Sequence, residues 1–101
     1  MYVSRLAFHS LPGRANDVEQ ALRKLRDMVV ATGGNPPRIL RTHFASSGAP
    51  DVVFEHENPD LASLENQLKR VNENPEFQEW RRQISTILWQ APKREIYVIA
   101  E

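Results

Sequence analysis

The spacing of apolar residues alternates between two periods along this chain, and this alternation restricts the order of its secondary structure. Residues 2–10 alternate in the manner of a half-buried strand. From Val18 to Val29 the apolar side chains recur every three or four positions, as on one face of a helix. The chain therefore begins with a strand followed by an amphipathic helix.

Capping and turn-forming residues predict where these elements begin and end. Asn16 can cap the first helix with Glu19 at its third position, and Gly33-Gly34 supplies the left-handed stop. A second strand is predicted at about 38–45 and a third at about 51–57. The turn at 46–50 joins these two strands into a hairpin.

The C-terminal half reads as a broken helix followed by a last strand. Asn58 is predicted to cap a helix that Pro59 opens, and Asn74 with Pro75 repeats that signal. Helical residues are therefore expected over about 59–89 with an interruption near 72–74. The closing stretch REIYVIA alternates again and predicts the fourth strand.

The resulting order, βαββαβ, predicts an α+β fold of the ferredoxin-like type. Right-handed crossovers place the strands in the order 4-1-3-2, as an antiparallel sheet with both helices on one face. With 101 residues the chain suits one domain, spanning 1–101.

Composition excludes several classes of function. Thirteen basic and thirteen acidic residues cancel, which argues against nucleic-acid binding, and the acidic third strand lacks the aromatic platform of an RNA-recognition domain. Cysteine is absent, and no histidine or carboxylate spacing resembles a metal site. The N-terminus lacks a signal sequence and no apolar run could span a bilayer, so no membrane partner is expected and the cytoplasm is the expected location.

Strand parity divides the side chains between two sheet faces. The face expected to meet the helices is nearly free of charge and holds Tyr2, Leu6, Phe8, Leu40, Phe44, Val52, Phe54, Ile96 and Val98. The opposite face mixes apolar and charged residues: Val3, Arg5, Ala7, His9, Ile39, Arg41, His43, Val53, Glu55, Glu57, Tyr97 and Ile99. Because this second face is too apolar to stay in water, a homodimer formed through it is predicted.

The mixed face also holds the candidate site residues. A hairpin centred near Gly48 places Arg41 opposite Glu55, with Arg5 on the other side of Glu55. The arginines could bind an anionic ligand, or the three charges could neutralise one another as a cross-strand ladder.

Histidine and aromatic residues add further candidates. His9 and His43 share the mixed face, and either could act as a general base. His56 has the opposite parity and is expected at the rim or surface. Tyr97 is a candidate pocket residue. Trp80 could stack on an aromatic ligand, although its stripe with Phe77 and Ile84 favours core packing.

The whole chain resembles the dimeric α/β-barrel superfamily, which contains antibiotic-biosynthesis-monooxygenase-like and NIPSNAP-like domains. The resemblance rests on the βαββαβ order, the broken second helix with NPEFQEW and the closing REIYVIA. It implies a sheet-to-sheet homodimer with small-molecule pockets between sheet and helices or inside the barrel.

Two functions follow from the resemblance and stay open. One is a small-molecule enzyme, such as a cofactor-independent oxygenase or isomerase, and the other is a non-catalytic homodimeric module for metabolite binding or assembly. No cofactor is expected. Trp80 is similar to the tryptophan of haem-degrading relatives, but no histidine follows it in RRQISTILWQ, and Arg5 and His9 stand where those relatives have asparagine. That departure argues against haem degradation.

Overall fold

A computed structural model describes all 101 residues, and its elements follow the predicted order. The second helical region is two helices, because Asn74 and Pro75 start a new one. The elements are β1 (Tyr2–Phe8), α1 (Ala15–Ala31), β2 (Arg38–Arg41), β3 (Val52–Asn58), α2 (Leu61–Asn72), α3 (Pro75–Ser85) and β4 (Lys93–Val98).

The four strands form one antiparallel sheet in the order β2-β3-β1-β4, which confirms the predicted 4-1-3-2 order and the ferredoxin-like fold. In the central pair, Leu6 lies opposite Phe54 and Phe8 opposite Val52. These side chains join the apolar stripes of the helices in one core. Phe8, Val18, Leu22 and Val52 are completely or almost completely buried there.

The predicted assignment of side chains to the two sheet faces was wrong for β2. Ile39 lies opposite Phe54 and packs against the core, whereas Leu40 lies opposite Val53 on the other face. The hairpin closes where the Thr42 amide donates to the Asp51 carbonyl, so the pairing is displaced by three residues from the prediction. An odd displacement moves every side chain of a strand to the other face.

This displacement also shortens β2, which ends at Arg41 rather than near Ala45. His43 and Phe44 consequently lie in the connecting loop. The Phe44 side chain, expected in the core, is 95% exposed. Phe44 was assigned to the core because it is apolar. It lies instead in a wide loop, where an apolar side chain can remain in water.

Two predicted caps were also wrong. Asn16 lies inside α1, where its Oδ1 accepts a hydrogen bond from Arg41 at 2.6 Å instead of capping the helix. Asn58 is the last residue of β3, and Asp60 caps α2 by accepting from the Ser63 amide at 2.7 Å. The predicted Asn74 cap is confirmed, since its Oδ1 accepts from the Glu76 amide at 2.9 Å.

The edge strand β4 is the least covered part of the sheet. All six of its residues are exposed. Ile96 and Val98 have the parity of the helix face, opposite Ser4 and Tyr2, as predicted. They nevertheless remain 47% and 64% exposed, so burial ends before this edge.

Candidate functional site

The face of the sheet opposite the helices, called the open face below, carries a charge ladder of Arg5, Glu55 and Arg38. Glu55 is only 3% exposed and accepts a hydrogen bond from Arg5 Nε at 2.9 Å and another from Arg38. The predicted ladder had Arg41 in place of Arg38. Arg41 instead lies on the helix side, where it bonds Asn16 and is 3.7 Å from Glu19, because the β2 register is displaced.

The pairing in the ladder determines the protonation of Glu55. Burial alone would raise the pKa of this carboxyl, but the hydrogen bonds and positive charges of Arg38 and Arg5 outweigh it and lower the pKa. The carboxylate is therefore ionised at neutral pH and satisfied on both oxygens. The two-to-one ladder predicted from alternation exists, with one different arginine.

Tyr97 lies beside the charge ladder on the open face, and its side chain is engaged with two neighbouring residues. Arg5 lies over the Tyr97 ring at 5.6 Å, and the Tyr97 hydroxyl donates to Glu95. That bond to Glu95 raises the pKa of the Tyr97 phenol. The buried carboxylate and the phenol of this face are therefore paired within the protein, whereas Arg5 and Arg38 remain half-exposed.

The two candidate bases occupy different surroundings. His9 is buried, with Nε2 donating to the Gly48 carbonyl at 3.2 Å and Nδ1 accepting from the Gln90 amide at 2.8 Å. The ring of Trp89 packs edge-on against it, with 5.5 Å between ring centroids. His43 is exposed in the hairpin loop. With both ring nitrogens occupied, His9 anchors the loop in this structure.

A cavity of about 180 Å³ lies between the sheet and the helices. We call it the inter-layer cavity. Its apolar walls include Leu6 and Phe54 from the sheet, Leu25 from α1, Leu64 and Val71 from α2, and Phe77 from α3. Its polar groups are Ser4, His56, Gln67, Asn72 and Arg94. Mostly apolar walls with a few converging polar groups are typical of small-molecule sites.

Arg94 stands at the junction of this cavity with a wider groove beside α3. Its Nη1 donates to the Ser4 hydroxyl at 2.9 Å, and no carboxylate lies within ion-pair distance. Burial lowers the pKa of the Arg94 guanidinium, the direction expected when a cation loses water without gaining an anion. This arginine therefore differs from those of the charge ladder.

Gln67, on the α2 wall of the cavity, has a side-chain amide without a hydrogen-bond partner. Its side chain is 7% exposed, and neither its amide nitrogen nor its amide oxygen has a hydrogen-bond partner in the protein. The amide packs against Gly34, where any Cβ would overlap it. A buried amide without partners is uncommon in folded proteins and requires a reason.

His56 was predicted at the rim or surface, and it is buried instead, at 7% exposed. Its Nε2 donates to the Asn35 carbonyl at 2.6 Å, and its Nδ1 accepts from the Asn58 amide at 2.9 Å. Burial lowers the pKa of this imidazole despite the opposing effects of Asn35 and Glu57. The neutral ring is thus fixed in one tautomer and forms part of the cavity wall.

The polar residues of the cavity were not predicted as site residues, although strand and helix parity places them on the inner face. Ser4 and His56 share the parity of Leu6 and Phe54, and Arg94 shares that of Ile96. Gln67 falls on the α2 stripe between Leu64 and Val71. Polar residues at positions that should be apolar were therefore the useful signal.

Trp80 packs in the core on the α3 side. It is 6% exposed, its ring stacks on Phe77 with 5.6 Å between centroids, and its Nε1 donates to the Ala21 carbonyl at 2.6 Å. It also lines the groove beside α3, a space of about 700 Å³ that shares Leu6, Phe77 and Arg94 with the inter-layer cavity. Trp80 therefore has both the packing role that its stripe predicts and a surface toward this groove.

The structure holds no group of three or more histidine, aspartate or glutamate residues placed to bind a metal ion. None of its helices combines the length and the apolar character needed to cross a membrane. Both statements concern the 101 residues described.

Solved structures with this fold extend over the entire chain, whereas no family model and no curated protein matches its sequence. An uncharacterised NIPSNAP domain protein from Burkholderia xenovorans superposes with a TM-score of 0.79 at 16% identity, covering 99% of this chain and 95% of that one. A candidate antibiotic biosynthesis monooxygenase from Nitrosomonas europaea gives 0.74 at 15% identity over 100% of both chains. One from Bordetella bronchiseptica gives 0.67 at 21% identity, covering 99% and 97%. The chain thus has the ferredoxin-like fold of NIPSNAP-domain and antibiotic-biosynthesis-monooxygenase-like proteins, as its sequence predicted.

Proposed function

We propose that this protein binds a small, largely apolar molecule in the inter-layer cavity. The observation that carries the proposal is the composition of its walls, where eight apolar side chains surround five polar ones, among them Arg94 with no carboxylate partner and Gln67 with no hydrogen-bond partner. The volume of about 180 Å³ fits this idea. In another protein an engineered apolar cavity of about 150 Å³ binds benzene.

A binding role agrees better with this geometry than a catalytic one. A general base needs a ring nitrogen free to take a proton from the substrate. Both nitrogens of His56 and of His9 are engaged by protein groups, and His43 lies in an exposed loop. The cavity wall therefore supplies hydrophobic contact and hydrogen bonds, without an evident proton acceptor.

The test is fragment binding with a cavity-filling variant. Toluene and 4-methylbenzamide titrated into labelled protein should shift amide NMR signals around Leu6, Leu64 and Phe77. Leu64→Phe should abolish these shifts because it occupies the space, whereas Leu61→Phe, on the exposed side of the same helix, should leave them unchanged. Binding unaffected by Leu64→Phe would exclude the cavity as the site.

We also propose that the protein is a homodimer through the open face. Val3, Leu40, Val53 and Tyr97 lie there, and Leu40 and Tyr97 are 39% and 45% exposed. A second copy is the simplest cover for such a surface. Leu40→Glu should shift the sedimentation coefficient from dimer to monomer, whereas Phe44→Glu, in the exposed loop, should not. A monomeric wild-type protein at micromolar concentration would contradict the proposal.

We keep the cytoplasm as the proposed location.

A cofactor-independent oxygenase is the second candidate, and the names of the structural neighbours from Nitrosomonas europaea and Bordetella bronchiseptica favour it. A polycyclic substrate would extend from the cavity into the groove lined by Trp80. Oxygen uptake with an anthrone, accelerated by wild-type protein and not by Leu64→Phe, would support this reaction. Oxygen uptake at the uncatalysed rate would contradict the oxygenase proposal, and only the binding role would remain.

A further inference from the structure

Charge is distributed unevenly on the inner surface of the molecule. The walls of the inter-layer cavity and of the adjoining groove contain two arginines, Arg94 and Arg81, and no aspartate or glutamate. Arg81 contacts the Phe77 ring at 5.9 Å. Arg94 has the Ser4 hydroxyl as its one hydrogen-bond partner in the protein. An anion entering this space would therefore meet positive charge and no carboxylate.

We infer, on the basis of the binding site proposed above, that the ligand is a small aromatic monocarboxylate whose carboxylate pairs with Arg94 while its ring fills the inter-layer cavity. A planar guanidinium binds carboxylate through two parallel hydrogen bonds, which suits this residue better than a lysine. The Ser4 hydroxyl accepts its bond from Arg94 and keeps its own proton to donate to the same carboxylate.

The position of Arg94 supports this orientation of the ligand. It lies opposite Leu6 in the β1–β4 ladder, and both residues line the cavity and the groove. A carboxylate there would remain near the wider groove and its water, while the ring reaches the apolar walls beyond. Arg94 stays exposed like the rest of β4, and neighbouring side chains lower its pKa by displacing part of its water.

Gln67 is an independent second observation at the same cavity. Its amide is buried on the α2 wall, across from the sheet that carries Ser4 and Arg94, and it has no partner within the protein. The amide atoms lie against Gly34, so the aliphatic part of Gln67 forms this part of the wall. The unpaired amide shows that polar groups on this side of the cavity are not satisfied by the protein.

A matched pair of probes tests the inference: 4-methylbenzoate and 4-methylbenzamide, which have nearly the same shape and differ in charge. Each is titrated at pH 7.5 into labelled wild-type protein, Arg94→Gln and Lys93→Gln. Lys93 is the neighbouring exposed residue of β4 with the opposite parity, so its substitution removes the same charge from the other face. Thermal unfolding of each variant establishes that it is folded.

We expect wild-type protein to bind the benzoate at least tenfold more tightly than the benzamide, with signals shifting near Ser4 and Leu6. Arg94→Gln should abolish this preference without changing benzamide affinity, and Lys93→Gln should preserve it. Equal affinities in wild-type protein, or an equal loss of both probes in Arg94→Gln, would overturn the inference and leave the binding site intact. Failure of both probes to shift cavity signals at millimolar concentration would overturn the site as well.

Discussion

The arginines on the two faces of the sheet differ in whether they have a carboxylate partner. On the open face Arg5 and Arg38 both bond one buried carboxylate, Glu55, so each arginine has an anionic partner and the carboxylate is satisfied within the protein. On the helix face Arg94 has a serine hydroxyl and no carboxylate, and the nearby Gln67 amide has no partner. Paired charges need no ligand, whereas unpaired polar groups next to a cavity indicate where one would bind.

The largest expected effect is on the free energy of unfolding, when a tryptophan in the core is compared with one at the rim of the helix side. Trp80→Ala should lower the free energy of unfolding by about 3–5 kcal/mol, the usual range for a buried aromatic residue, and it also removes the hydrogen bond to Ala21. Trp89→Ala should cost about 1 kcal/mol or less, because Trp89 is 60% exposed. Urea denaturation measures both. Similar losses in the two variants would show that Trp80 contributes little to the core.

The charge ladder gives the second prediction. Glu55→Gln should lower the unfolding free energy at pH 7 by about 1–2 kcal/mol, because two charge-assisted hydrogen bonds are lost while the half-exposed arginines regain water. Glu57→Gln, exposed on the same face, should change it by less than about 0.5 kcal/mol. Equal, small effects would mean that the ladder does not stabilise the sheet.

The pH dependence of stability should distinguish the two faces. His56 has a lowered folded pKa, so the unfolded chain takes up its proton first, and stability falls as the pH drops below 6.5. Glu55 also has a lowered folded pKa, so its contribution is fully present above pH 4.5 and is lost as the pH falls through the folded value.

Denaturation curves between pH 8 and 3 can separate these two windows. His56→Gln should remove the loss of stability below pH 6.5 and keep the loss in acid. Glu55→Gln should do the reverse. A His56→Gln protein with an unchanged profile above pH 5 would contradict the described burial of the imidazole.

The smallest expected effect concerns the unpaired amide. Gln67→Met keeps a side chain of similar length and removes two buried polar atoms without partners, so it should raise the unfolding free energy by about 1 kcal/mol. Gln78→Met, exposed on α3, should leave it unchanged within about 0.5 kcal/mol. Destabilisation by Gln67→Met would show that the amide has a partner in solution, and would remove its role at the cavity.

The fold was predictable because its signals are local and repeated. Alternation in β1, the helical stripe of α1 and the Asn74-Pro75 start of α3 each depend on neighbouring residues, and together they fixed the element order. The hairpin register depends instead on how a long turn closes. Nothing in residues 42–51 indicated that Thr42 would pair with Asp51, so the partner of Glu55 was predicted as Arg41 and is Arg38.

The candidate site was harder to predict for a related reason. The charged face predicted His9, Arg5 and Tyr97 as site residues, and the structure shows those groups engaged with protein partners. Ser4, Gln67 and Arg94 belong to different elements and meet only after α2 packs on the sheet. Parity places such residues on the inner face, but it cannot say which of them remain unpaired.

A crystal structure of the protein grown with 4-methylbenzoate would locate the ligand itself. We expect the aromatic ring between Leu6, Leu64 and Phe77, with both carboxylate oxygens within about 3 Å of the Arg94 guanidinium, the usual distance of such hydrogen bonds. The same ligand seated against Arg5 and Arg38 on the open face, with the inter-layer cavity closed by side chains, would contradict this expectation.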